Sequence, residues 1–169
     1  MKTFLILIGL IAALAGTTAA SGGMVASCKG AQLAGSFSAV KGSPGAGSIS
    51  YALHLRNVSR TACAVTGLPQ GQLLGRHGGK LPTHIRAAFP GALAAVLVIL
   101  DPGQWTRATA RFSPDVPGTG DSQQPGPCEP TAYSLRVNAR GGGTTTAKLL
   151  PPTPVCERGR LQFSAYGLG

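Results

Sequence analysis

The sequence predicts an all-β chain: an immunoglobulin-like β-sandwich of about seven or eight short strands, preceded by a signal peptide. Three observations carry this. Ile49, Tyr51, Leu53 and Leu55 alternate with Ser50, Ala52, His54 and Arg56, the period of two that a half-buried strand requires. Glycine (25) and proline (13) are plentiful and charged residues sparse (12%) in 169 residues, which suits short strands joined by turns. After residue 20, no stretch repeats its apolar residues at helical spacing.

Lys2, an apolar run from Phe4 to Ala15 and the small residues Gly16 to Ala20 have the make-up of a secretory leader over residues 1–20. The run is shorter than the ~20 apolar residues of a bilayer span, so the mature chain is not expected to span a membrane. Residues 21–27 are a short N-terminal segment, and residues 28–169 are the sandwich domain.

Cys28, Cys63, Cys128 and Cys156 follow the leader, none of them in a CxxC. An even count in an exported chain reads as two disulfides, with three pairings open. Cys28–Cys63 and Cys128–Cys156, one bridge for each half, is the preferred pairing. Val25-Ala26-Ser27-Cys28 also has the pattern of a lipobox. Small and polar residues separate it from the apolar run, and acylating Cys28 would leave an orphan thiol. A lipoprotein anchored through Cys28 is therefore the lesser alternative.

The domain opens with a weak strand, Gln32–Val40, and a flexible turn, Lys41–Gly47. The alternating strand follows, and Asn57-Val58-Ser59-Arg60 turns it into Ala62–Leu68, where Cys63 and Val65 share a face. Asn57-x-Ser59 matches a glycosylation sequon, but it reads as turn chemistry with Asn57 in a left-handed position. Pro69 ends the second strand, and Gln72–Leu74 is a short third piece. Gly75–Pro90 reads as an exposed loop.

Ala92–Leu100 is the most apolar mature segment, and Val96–Leu100 reads as a central strand buried on both faces. Asp101-Pro102-Gly103-Gln104 has type II turn chemistry. On the returning strand Ala108, Ala110 and Phe112 oppose Arg107, Thr109 and Arg111. Residues 113–130 read as an acidic, Pro/Gly-rich mobile loop. Tyr133, Leu135 and Val137 restart the alternation, Thr144–Leu150 is a strand, and Leu161, Phe163 and Ala165 line the last one.

Catalytic patterns are missing: there is no G-x-S-x-G, H-E-x-x-H or GxxxxGK[ST]. His54 projects from a polar strand face, and His77 and His84 sit among glycines and prolines with no acid or cysteine between them. Neither an enzyme, a metal nor a cofactor is expected; an uncharacterised hydrolase is the distant alternative. The formal net charge is +10. Arg56, Arg107, Arg111, Arg136 and Arg160 fall on outward strand faces and form a candidate basic face. Its partners would be an anionic envelope polymer, a lipid headgroup or an acidic protein. Aromatics are only 5% of the chain and do not interleave with the cations, so nucleic acid is not expected.

Cys28 before the first strand, Asn57-x-Ser59, Cys63-x-Val65-x-Gly67-Leu68-Pro69, Leu100-x-Pro102-Gly103 and two later cysteines together resemble domain of unknown function 4232, a family of exported proteins and lipoproteins of actinobacteria. The likeness covers Cys28 to Tyr166. Leu68 stands where that family often has an aromatic residue. The resemblance implies a disulfide-bonded sandwich at the cell envelope and supplies no catalytic residues. The expected role is a non-catalytic structural or interaction module, with binding of anionic polymers or headgroups as the alternative.

Overall fold

The computed structural model describes residues 24–90, 96–124 and 126–168. The leader, residues 21–23 and the first part of the apolar run (91–95) lie outside the described residues. A 3-10 turn, Gly30–Gln32, leads into β1 (Leu33–Ala39), followed by β2 (Ile49–Asn57), β3 (Cys63–Thr66), β4 (Gly71–Leu74) and β5 (His84–Ala87). Then come β6 (Leu97–Leu100), β7 (Trp105–Phe112), β8 (Ala132–Asn138), β9 (Thr144–Thr153), β10 (Arg160–Phe163) and β11 (Gly167–Leu168).

The main sheet runs β4-β8-β9-β1-β2-β7-β10-β5, with β11 on β7, while β3 and β6 form a second, two-stranded sheet. β1 joins the halves of the main sheet, antiparallel to β2 and parallel to β9. The sheet is strongly curled. Phe37 on β1 stacks on Phe163 of β10 with ring centroids 5.8 Å apart, although two strands lie between them and a flat sheet would hold them about 14 Å apart. Tyr51 joins the same core, its ring edge-on to Phe37 and its hydroxyl donating to Pro151 O (2.9 Å). Leu53, Leu55, Leu135, Leu149 and Leu161 complete it, all essentially inaccessible. The all-β class is therefore as predicted, in a nearly closed, barrel-like sandwich.

Local chemistry explains the elements that match expectation. β7 buries one face and wets the other, so its alternation survives intact, whereas on β2 Tyr51, Leu53 and Leu55 face the core as expected but Ala52 on the opposite face is buried as well. The turn before β7 is type II in outline: Gly103 has φ 85° and Gln104 N–H donates to Asp101 O (3.0 Å).

Several readings need correction. Val96–Leu100 is not a doubly buried central strand. β6 pairs with β3, so only Val98 and Leu100 face the core, while Val96, Leu97 and Ile99 are half exposed. Gly75–Pro90 is not all loop, because β5 adds in parallel to β10 at the sheet edge. A register shift between Ala132 and Ser134 turns Ala132 inward and Tyr133 outward, breaking the simple alternation. The last core strand stops at Phe163. Tyr166, not Ala165, is the next buried side chain.

Asn57 is not in a left-handed turn. It ends β2, fully buried, and its side chain ties two connections together: Nδ2 donates to Thr61 O and Leu100 O (both 2.8 Å), and Oδ1 accepts from Ser59 N (2.9 Å) and Ser59 Oγ (2.7 Å).

The corrected β6 has a direct test. Leu100→Ala should cost about 2–5 kcal/mol in urea unfolding, as for a buried leucine. Leu97→Ala should stay within about 0.5 kcal/mol, as on a surface. Equal, large losses at both positions would restore the doubly buried strand.

Candidate functional site

The sheet register fixes where the outward charges stand, since directly paired residues share a face. Two transverse rows cross the outer surface. One runs Ala34, Arg56, Trp105; the other runs Lys148, Ser36, His54, Arg107. Arg56 and Arg107, both exposed, therefore stand together at one end of β2 and β7. His54 and Trp105, diagonal neighbours, stack with centroids 4.9 Å apart and planes 22° apart. Burial, and secondarily the charge of Arg107, hold the His54 pKa below its ordinary value. Arg56 Nε donates to Gly103 O (3.0 Å), which steadies the guanidinium beside Trp105. Ala34, Gly35 and Ser36 of β1 floor an open trough walled by His54, Arg56 and Trp105.

Arg111 and Arg160 lie at the other end. Gln162 of β10 pairs with Arg111 on one side and Arg86 on the other, and Arg160 pairs with His84. This cluster is partly satisfied internally: Arg160 forms an ion pair with Glu157 (2.5 Å) and Arg111 Nε donates to Ser48 Oγ (3.0 Å). Arg136 belongs to neither group. It stands on β8, opposite Gln72 and Thr146, three strands from β2. The five candidate arginines thus resolve into two pairs and a single residue.

The histidines are dispersed. His77 occupies the exposed Gly75–Gly79 turn and His84 the exposed face of β5. Among the described residues, the three groups with metal-ligand atoms close together are Asp121, Cys128 and Cys156, within 4.8 Å of one another. Their chemistry is structural. The two sulfurs are bonded to each other, and the other pair, Cys28 and Cys63, is joined likewise, so the preferred pairing is the one present.

Asp121 is buried beneath a left-handed turn. Glu157 (φ 54°), Arg158 (φ 57°) and Gly159 (φ 77°) follow one another in the left-handed region, and their cost is offset by the carboxylate. Its Oδ2 accepts from Glu157 N (2.5 Å) and Gly118 N (2.8 Å), and its Oδ1 accepts from Arg158 N (2.7 Å). Gly159 must be glycine, because a Cβ there would strike the Pro82 carbonyl. Burial works to raise the Asp121 pKa, but those three N–H groups and a bond from Glu129 bring it below the ordinary value. Glu129 is raised, first by burial and then by the Asp121 charge. Residues 113–124 and 126–130 form no strand or helix, as expected of a loop, and are fastened by this carboxylate and by the Cys128–Cys156 bridge.

Sequence reasoning missed Trp105, His54 and Lys148 as parts of the basic surface. Their parity was readable, since Trp105 falls in step with Arg107 and His54 with Arg56. Their juxtaposition depends on the pairing of β7, β2, β1 and β9.

No curated protein and no solved structure matches this chain. Residues 28–166 match the family described as a domain of unknown function (DUF4232). The match starts at the cysteine bonded to Cys63 and ends at buried Tyr166, so it takes in both disulfides, the curled sheet and the basic rows; the chain belongs to that family.

Proposed function

We propose that this is an exported, non-catalytic interaction module of the cell envelope whose basic sheet surface meets an anionic partner. One observation supports the reading most. All five acidic residues lie between the strands, so every charged side chain on the strands is a cation. The two disulfides are consistent with an oxidising compartment, and no helix among the described residues is long and apolar enough to cross a membrane. The acid with the most elaborate setting, Asp121, has its oxygens taken up by backbone N–H groups in a structural role.

The partner class is an anionic envelope polymer or lipid headgroup. Purified mature protein should bind phosphatidylglycerol vesicles or wall extract at low salt. Binding should fall steeply as the screening length shrinks from ~10 Å at 0.1 M to ~3 Å at 1 M salt. No binding to either at low salt removes the basic-surface role. Turnover in a hydrolase panel that disappears on replacing His54, His77 or His84 by Ala would replace the binding reading with an enzymatic one.

A further inference from the structure

We propose that the trough over β1 binds an acidic saccharide, with Trp105 and His54 as the stacking wall and Arg56, Arg107 and Lys148 as the anion contacts. This deepens the reading that the basic surface serves for binding and rests on it.

Four features of the trough point to a ring that also carries charge. Its floor is set by short side chains: Ala34 and Ser36 rise beside Arg56 and His54 on one flank, and Ser36 also pairs with Lys148 on the other. β9 and β2 are two strand spacings apart, about 10 Å, room for a single file of rings lying along β1. Trp105 is the chain's one tryptophan, 43% exposed. An aromatic left half in water on a sheet face, held flat by a histidine, offers a pre-ordered surface for the C–H face of a sugar with little side-chain entropy left to lose.

The cations flank this surface on both sides. Lys148 stands across the floor from His54 and Arg107 in one row, and Arg56 adjoins Trp105 in the other. Arg56 is anchored through Nε alone, leaving the fork of its guanidinium for a carboxylate or phosphate. The nearest acid in sequence, Asp101, makes no ion pair with it among the described residues. The opposite end of the sheet lacks these properties: Arg160 is already paired with Glu157, and Arg111 has no indole beside it across the ladder.

A purely anionic ligand would use the cations and waste the aromatic wall. A neutral sugar would do the reverse. The geometry therefore favours both features in one molecule.

The test separates ring from charge with three short probes: trigalacturonate (both), maltotriose (ring alone) and tripolyphosphate (charge alone). Each is titrated into the mature protein, read by calorimetry and by emission of Trp105. Trigalacturonate should bind most tightly and shift the emission saturably. Trp105→Ala, Arg56→Ala and Arg107→Ala should each weaken it about tenfold, as expected for aromatic or arginine anchors. Lys41→Ala, exposed in the turn between β1 and β2 and off the strand surface, should bind as wild type. Thermal unfolding of each variant confirms that it is folded, and Arg107, which makes no backbone bond to the neighbouring turn, guards against a local fault in Arg56→Ala.

Tripolyphosphate binding as tight as trigalacturonate, with unchanged emission, would overturn this site while leaving a basic binding surface in place. Maltotriose equal to trigalacturonate would remove the role of charge and with it the proposal. No binding of any probe, together with none to anionic vesicles, would overturn both this site and the reading it rests on.

Discussion

Asn57→Asp is expected to lower stability by about 3–5 kcal/mol at neutral pH, more than Asn57→Ala, and to recover partly on acidification. The amide donates two hydrogen bonds to Thr61 O and Leu100 O in a fully buried position. A carboxylate of the same shape has no donor, so it would face two carbonyl oxygens with a buried charge. Alanine removes the charge as well as the donors, so the two carbonyls lose a donor but face no buried charge, and Thr61 O keeps the bond from Ser59 Oγ (3.0 Å). Protonating the aspartate restores one donor. Urea unfolding of both variants at pH 7 and in mild acid measures this. Equal losses that do not change with pH would show that Asn57 is not the tie between the β2–β3 and β6–β7 connections.

Asp121 and Glu129 should respond to neutralisation with opposite signs. Asp121→Ala takes the carboxylate from beneath three backbone N–H groups and leaves two non-glycine residues in left-handed conformations; a loss of about 3 kcal/mol is expected. Because the folded-state pKa of Asp121 is depressed, its contribution is present above the unfolded value and is lost as pH falls through the folded one. Glu129 behaves in the reverse sense. Its pKa is raised in the fold, so its contribution is present below the unfolded value and lost as pH rises through the folded one. Glu129→Gln should therefore stabilise the protein at pH 7, and that gain should vanish below about pH 4, where the acid is protonated in both states. Melting curves across this range decide it. A destabilised Glu129→Gln at neutral pH would mean that the pair is not in repulsion.

What could be read from the chain beforehand follows from which faces meet water. Tyr51, Leu53 and Leu55 against His54 and Arg56, and Ala108 and Ala110 against Arg107 and Arg111, kept their alternation because each strand has one wet side. Val96–Leu100 misled because an unbroken apolar run looks the same whether a strand is covered on both faces or left half bare beside a single partner. His84-Ile85-Arg86-Ala87 gave too short a pattern among prolines to stand out. Asp121 had no local signal at all, since two of the groups it holds are 36 and 37 residues further on. The arginine parities of the basic surface were legible. The meeting of Trp105 with His54 was not, because it is a property of the β2–β7 register.

The place of β1 bears on how the chain assembles. Its antiparallel neighbour, β2, arrives almost at once, yet its parallel neighbour is Ala147–Leu150, more than a hundred residues downstream. Until that stretch has been released by the ribosome, Phe37 sits on a strand with one flank open, and the aromatic pair it forms with Tyr51 lacks Phe163. Completion is thus deferred to the final part of synthesis, when distant contacts close together instead of growing outward from a local start.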